Sequence, residues 1–224
     1  MEIIPGIHQV DGVNGNCYVL VRDNLVLIDT GLPRSHPKIL AYIQSVLKRD
    51  PQEIKTIILT HHHVDHSGTI PELKKVSGVQ VAVHGADVEF LTGKKPLPET
   101  GGVMGLLLKF LYTFYPFTPV EPDIVLKEND IIAGLRCVHT PGHTPGSICL
   151  VDPEHRVVFV GDTLIMKGAT INGPPPGVTM NMPQALESVK KIALLDFDIM
   201  LCGHGEPLRP DASNKVAAFC KSLK

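Results

Sequence analysis

Four histidines and an aspartate lie within six consecutive positions of the stretch ILTHHHVDHSG, residues 58–68. The pattern H-x-H-x-D-H selects His61, His63, Asp65 and His66. In an extended segment, side chains two positions apart point the same way, so His61 and His63 can face one metal ion. Asp65 and His66 follow where the chain turns into its next element, and they can reach a second metal. Imidazole and carboxylate ligands together indicate zinc or another borderline divalent ion rather than a solvated histidine-rich loop.

Two metals need more ligands than one hexapeptide provides, and three later strand ends offer them. Each candidate comes directly after an apolar run or lies in a Gly-rich turn, where strands can hold side chains in convergence. A further acidic residue ends the apolar run VLIDTG in the same manner. These residues are His143 in HTPGHTPGS, Asp162 in VVFVGDTL, His204 in LCGHGE, and Asp29.

The elements that must position these residues form two strand-rich halves, each followed by helices. Apolar patterning predicts strands near residues 7–10, 17–21, 25–29, 56–60, 79–83, 124–126, 135–139, 147–151, 157–160 and 199–202. Helical spacing predicts helices near 37–47, 69–76, 184–195 and 211–223. Two such halves suggest two sheets packed face to face with helices outside.

Composition limits the function classes. The 224 residues carry a formal charge of -2, and no basic stripe marks a nucleic-acid or acidic-membrane partner. Five scattered cysteines without a C-x-x-C pair indicate reduced thiols, and no secretory signal or membrane span is apparent. These features predict a single domain over 1–224 in the cytoplasm, with no membrane partner.

Residues 94–122 form an apolar insert that holds five of the chain's 7 Phe and 4 Tyr residues. Three interpretations remain open for it: a core helix, a flap over the site, or a homodimer contact. In the flap interpretation, Leu107, Phe110 and Phe114 line the substrate pocket.

With its five motifs in this order, the chain resembles the metallo-β-lactamase-fold hydrolases over nearly its whole length. The resemblance implies an α/β fold, a four-layer αββα sandwich of two mixed β-sheets with helices outside and the metals at one edge. It also implies how the ligands divide: His61, His63 and His143 at the first metal, and Asp65, His66 and His204 at the second. Asp162 would bridge both metals, and Asp29 would orient ligands by hydrogen bonding.

The chemistry implied is hydrolysis. Two divalent ions, zinc in the first place with iron or manganese as alternatives, would activate a bridging water or hydroxide as the nucleophile. Asp65 is also predicted to relay a proton to the leaving group. No G-x-S-x-G nucleophile elbow is present.

The expected substrate class depends on how short motifs of this sequence compare with those of particular enzymes of the fold. GDTL and TPGHTPGS resemble glyoxalase II, but MKGATINGPPPG replaces that family's Cys-Gly-Arg stretch, and Ile165 replaces the tyrosine of the lactonases. A small thioester, lactone or ester is therefore expected, and no nucleic acid. The alternatives are a phosphodiesterase on the same site and a mononuclear iron (persulfide) dioxygenase using His61, His143 and Asp162. A non-catalytic binding module is a third class, disfavoured because unused buried ligands are costly.

The remaining histidines receive ordinary interpretations. His62 is a spacer whose ring should point away from the metals. His139 either supports a ligand or is structural, and His84 ends a strand where it could line the site. His8, His36 and His155 receive no role.

Overall fold

The chain divides into two compact units, each made of two separate segments. The computed structural model describes residues 1–96, 114–115 and 117–223. One unit comprises Met1–Val83 and Val88–Val125, and the other comprises His84–Asp87 and Leu126–Lys224. The single domain expected from the sequence stays a prediction. Among the described residues, no helix has the length and apolar character needed to cross a membrane.

The first unit is built on a mixed sheet whose seven described strands follow chain order from β1 to β7. Strands β1 to β4 pair antiparallel, whereas β5 pairs parallel with both β4 and β6. The strands are β1 (Glu2–Ile4), β2 (Ile7–Gln9), β3 (Tyr18–Val21), β4 (Leu25–Ile28), β5 (Ile54–Ile58), β6 (Gln80–His84) and β7 (Ile124–Leu126).

Helices provide the crossovers that the parallel pairs require. Helix α1 (His36–Ser45) leads from β4 to β5, and α2 (Val64–Ser67) and α3 (Ile70–Ser77) lead from β5 to β6. A short α4 (Val88–Leu91) follows β6, and 3₁₀ turns occur at Pro51–Glu53 and Gly85–Asp87.

The helices of the first unit bury their apolar stripe against the sheet. Ile39 and Ile43 of α1, four positions apart, lie on one face, and they share a core with strand residues such as Leu27. Helix α1 ends at Ser45, before the predicted Leu47. Lys48 has a φ of 56°, which is incompatible with continuing the helix.

The second unit has a mixed five-stranded sheet in the order β14-β11-β10-β9-β8, in which only the β11–β14 pair is parallel among the pairs described. A separate hairpin joins β12 and β13. The elements are β8 (Ile131–Ile132), β9 (Leu135–His139), β10 (Ile148–Asp152), β11 (Val157–Gly161), β12 (Ile165–Lys167), β13 (Thr170–Asn172), a 3₁₀ turn at Pro176–Val178, α5 (Met182–Ile192), β14 (Ile199–Cys202) and α6 (Ala212–Ser222).

Helix α5 shows why the local sequence forms these elements. The Asn181 side chain accepts a hydrogen bond from the Gln184 N–H and so caps the helix start. Val189 and Ile192 are fully buried in a core with the strands of this unit. Leu194 is 87% exposed, so the apolar pattern that predicted helix to residue 195 does not continue the buried face.

All ten predicted strands lie within two residues of their observed bounds, and β7, β9 and β14 match fully. The sequence missed β1, β8 and the hairpin β12–β13, whose strands have only two or three residues each. Such short strands carry too few alternations for a periodicity to appear.

Candidate metal centre

The histidines of the first unit lie where β5 gives way to α2. After Ile58 the chain leaves the sheet, and α2 begins at Val64. His61 and His66 are buried at 1% and 0% exposure, and their ring centroids are 4.0 Å apart. The ring of His63 lies 4.7 Å from that of His61. Three of the predicted ligand imidazoles therefore form one cluster.

Asp29 is placed beside this cluster by strand pairing. It follows β4, the parallel neighbour of β5, so the carboxyl ends of the two strands lie at the same edge of the sheet. Its buried carboxylate accepts hydrogen bonds from the Thr60 N–H at 2.8 Å and the Thr60 hydroxyl at 2.7 Å. It also accepts from His66 Nδ1 at 2.8 Å. Asp29 is therefore hydrogen-bonded to both Thr60 and His66, and its role toward a metal stays a prediction.

Thr60 extends the influence of Asp29 to a second histidine. Because its only hydroxyl proton is donated to Asp29, its Oγ1 can accept from His61 Nδ1, which lies 3.1 Å away. His61 and His66 therefore both carry their proton on Nδ1. In this tautomer, the lone pair that could bind a metal is on Nε2 of each ring.

Within the second unit, Asp162 lies close to two histidines. Asp162 follows β11 and the loop of His204 follows its parallel neighbour β14, so both reach the same edge of that sheet. Asp162 Oδ2 is 3.3 Å from His204 Nε2 and 3.7 Å from His143 Nε2. In the first unit, Asp65 Oδ2 is likewise 3.7 Å from His66 Nε2.

These separations fit the donor set of a metal site. Tetrahedral zinc with bonds of about 2.0–2.2 Å holds neighbouring ligand atoms about 3.3–3.6 Å apart. The three nitrogen–oxygen distances of 3.3 to 3.7 Å correspond to that spacing. His66, His143 and Asp162 are each buried within their own unit, at 0%, 0% and 5% exposure.

His143 receives its orienting contact from Thr179, which the sequence analysis did not identify. Thr179 donates its hydroxyl proton to Pro175 O at 2.8 Å and lies 3.0 Å from His143 Nδ1, from which it can accept. With the proton on Nδ1, the lone pair that could bind a metal is again on Nε2. Thr179 is 36 positions from His143, and no local pattern connects the two.

Backbone hydrogen bonds hold the turns that carry His143 and His204. Met180 N–H donates to His143 O at 3.1 Å, and Met166 N–H donates to His204 O at 3.0 Å. Gly142, with a φ of 129°, lies so close to α5 that an added Cβ would be 2.2 Å from Ala185 N. A side chain at Gly142 would therefore move the His143 turn.

The other histidines have structural contacts. The buried His62 ring stacks on Phe90 at 4.5 Å and an interplanar angle of 8°. His84 and His139 stack at 3.9 Å, and burial followed by the charge of His139 lowers the pKa of His84. His8, His36 and His155 contact Tyr42, Thr69 and Asp152 respectively.

Four buried thiols are poor nucleophiles. Burial raises the pKa of Cys137 and of Cys149 to about 12, so both are neutral at physiological pH. Burial also raises the pKa of Cys17 and Cys202 well above the ordinary value. A thiol acts as a nucleophile through its thiolate, so these four cysteines are core residues.

Of the three residues predicted to line the substrate pocket, the structure describes only Phe114. Leu107 and Phe110 lie outside the described residues. Phe114 is 54% exposed. The pocket and the flap stay predictions.

The family model for the metallo-beta-lactamase superfamily matches residues 10–204. The chain therefore belongs to this superfamily, whose members are mostly metal-dependent hydrolases that bind divalent metals. Two mixed sheets with helices confirm the predicted α/β class.

Three relatives cover most of this chain. The probable metallo-hydrolase YflN of Bacillus subtilis is 30% identical over 92% of this chain and 86% of its own length. The hydroxyacylglutathione hydrolase GloC of Haemophilus influenzae is 30% identical over 92% of this chain and 90% of its own. An atrochrysone carboxyl ACP thioesterase of Aspergillus fumigatus is 28% identical over 90% of this chain, which spans 53% of that protein.

Solved structures show the same fold. A metallo-beta-lactamase family protein from Thermus thermophilus superposes with a TM-score of 0.73 at 22% identity, covering 98% of this chain and 80% of that one. A metallo-beta-lactamase with a HARLDQ motif from Cronobacter sakazakii gives 0.70 at 25% identity, covering 92% and 77%.

Proposed function

We propose that this chain is a binuclear metal-dependent hydrolase of small thioesters, with lactones and oxygen esters as lesser substrates. In this proposal His61, His63 and His143 hold the first metal, and Asp65, His66 and His204 hold the second. Asp162 is a ligand of both. Zinc is the proposed metal, with iron or manganese as alternatives.

The observation that carries the proposal is that imidazole nitrogens and carboxylate oxygens lie close together within each unit. Asp162 Oδ2 lies 3.3 to 3.7 Å from two histidine Nε2 atoms, and the Nδ1 of His143 is hydrogen-bonded to Thr179. Hydrogen bonding at the outer nitrogen fixes the tautomer that a metal ligand needs.

When bound, the metals lower the pKa of a water molecule to near neutrality and polarise the scissile carbonyl. The chain's own residues set the geometry. Asp29 orients His66 directly and His61 through Thr60. Asp65, whose side chain is 29% exposed beside His66, can accept a proton and pass it to the departing thiol.

The thioester class is supported by two relatives. One is named a hydroxyacylglutathione hydrolase and the other a thioesterase. The proposed partner is thus a small-molecule substrate, and Leu107, Phe110 and Phe114 stay the proposed apolar wall for its acyl chain. A homodimer and a cytoplasmic location also stay predictions.

Metal analysis and a substrate panel test this function. Protein loaded with zinc is assayed on a small acyl thioester, a lactone, an oxygen ester and a phosphodiester. We expect the highest kcat/KM on the thioester, loss of activity on chelation and recovery when zinc is returned. Turnover of the phosphodiester alone would replace the proposal with a phosphodiesterase. One iron per chain with oxygen consumption would replace it with a dioxygenase.

A further inference from the structure

We infer that Asp87 is a positioning residue for His143, acting through the turn TPGHTPGS at residues 140–147; this inference rests on the proposed metal-binding function. Asp87 lies in the 3₁₀ turn Gly85–Asp87, and that turn belongs to the same compact unit as His143. The Asp87 side chain is fully buried. A carboxylate in that position is costly unless hydrogen bonds compensate it.

The compensating donors come from the residues that follow His143. Thr144 donates its hydroxyl proton to Asp87 Oδ2 at 2.8 Å, and Gly146 donates its N–H to Oδ1 at 2.6 Å. Both carboxylate oxygens act as acceptors, so the ionised form suits this position. Charge-assisted hydrogen bonds of this kind are shorter and stronger than neutral ones.

A chain of hydroxyl groups converges on the same carboxylate. Because Thr144 gives its proton to Asp87, the hydroxyl of Ser147 must donate to Thr144 Oγ1 at 2.9 Å. In turn, the Thr144 N–H donates to Ser147 Oγ at 2.9 Å. These hydrogen bonds join Thr144 to Ser147 and link both to Asp87.

The hydrogen bond between Gly146 and Asp87 requires glycine at position 146, because the two residues pack closely. A Cβ on Gly146 would lie 2.5 Å from the carboxyl carbon of Asp87, which leaves no room for a side chain. Pro145, between Thr144 and Gly146, has a contact of its own. Its carbonyl oxygen lies 2.8 Å from His139 Nε2, which can donate to it. The three residues after His143 are therefore each held by Asp87 or His139.

His143 is held on both sides of its position in the chain. Thr179 and Met180 hold His143 from one side, and Asp87 holds the backbone that follows it. Loss of Asp87 should let the imidazole drift from the position that one metal requires. The second metal, proposed at Asp65, His66 and His204, should be affected little.

The test uses full-length protein with two matched variant pairs. Asp87→Asn replaces the carboxylate with an amide of equal size, and Asp152→Asn is its control. Asp152 is a buried carboxylate of the same unit that accepts from the Glu154 and His155 N–H groups. Thr144→Val removes the hydroxyl that contacts Asp87, whereas Thr144→Ser retains it.

Zinc binding is measured by titration against a competing chelator, with cobalt absorption spectra as a second readout. We expect Asp87→Asn and Thr144→Val to weaken one of two metal equivalents roughly 10–100-fold and to alter the cobalt spectrum. Thr144→Ser and Asp152→Asn should bind both equivalents as the wild type does.

Folded Asp87→Asn protein that binds both equivalents with wild-type affinity would overturn the inference and leave the hydrolase proposal intact. Equal metal loss in Asp152→Asn would also overturn it, because general destabilisation would then suffice. If Asp87→Asn does not fold, the Thr144 pair decides: equal affinities in Thr144→Val and Thr144→Ser overturn the inference. Wild-type protein that binds no zinc would overturn the function itself.

Discussion

Single hydrogen bonds determine which nitrogen each candidate histidine offers. His66 contacts a carboxylate, whereas His61 and His143 contact the hydroxyls of Thr60 and Thr179. Each hydroxyl has already donated its proton elsewhere, so it can only accept from the imidazole. The outcome is the same Nδ1–H tautomer at all three rings, although their partners differ in charge.

At the residue scale, we predict that replacing His62 mainly lowers stability, whereas replacing His63 mainly lowers metal binding. The His62 ring is buried and stacked on Phe90, so His62→Ala should lower the free energy of unfolding by roughly 2–4 kcal/mol while two metals stay bound. His63→Ala should lose metal, and its stability change should be the smaller of the two when unfolding is measured with chelator present. Urea unfolding and metal analysis measure both effects. Equal metal loss in the two variants would show that the ligand register is wrong.

Asp162 is the second prediction at the residue scale. Asp162→Ala should reduce bound metal below two per chain, with a loss of kcat/KM greater than the roughly 10–100-fold typical of a supporting contact. Its Oδ2 lies within 3.7 Å of two imidazole nitrogens, so its removal affects both. Asp196→Ala, at a side chain 77% exposed in the same unit, is the control. Full activity with two metals in Asp162→Ala would exclude it as a ligand.

Among the elements, neighbouring parallel strands determine where the polar groups meet. Asp29 follows β4 and His61 comes after its parallel neighbour β5. Asp162 and His204 follow β11 and β14, the parallel pair of the other sheet. Side chains beyond the carboxyl ends of parallel neighbours converge without requiring any sequence proximity.

The stacked histidines at the ends of β6 and β9 predict a pH dependence of stability. Burial and His139 lower the pKa of His84, while Asp87, Glu128 and Asp130 oppose that shift. Between the folded pKa and the ordinary value of 6.5, the unfolded chain binds more protons, so stability falls as pH decreases through this window.

The variant His84→Phe keeps an aromatic ring for stacking on His139 but cannot titrate. Its free energy of unfolding, measured in urea from pH 7.5 downwards with chelator present, should fall less steeply than that of the wild type. Identical slopes below the ordinary histidine pKa of about 6.5 would contradict this assignment.

For the whole molecule, metal binding and folding should be linked. A ligand that binds only the folded state adds about 2.7 kcal/mol when its free concentration is 100 times the Kd. Zinc should therefore raise the Tm of the wild type and of Asp196→Ala, and chelation should reverse it. Asp162→Ala should show little of this increase. A wild-type Tm that is the same with zinc and with chelator would count against the proposed site.

The spacing of residues along the sequence was sufficient to predict the histidine cluster, the longer strands and the amphipathic helices. H-x-H-x-D-H fixes positions along a few residues of backbone, so the clustering of His61, His63 and His66 followed from the pattern. The longer strands and the amphipathic helices, such as α5, were also predictable, because burial on one face imposes a regular period.

Tertiary structure alone decided the contacts that orient those groups. Thr179 is 36 positions from His143, and Asp87 is 57 positions from Thr144. The stacking of His62 on Phe90 and the short hairpin β12–β13 were equally absent from the local patterns. Hydrogen bonds across such separations depend on which strands pair and how closely their turns approach, and a linear pattern of residue types does not encode either.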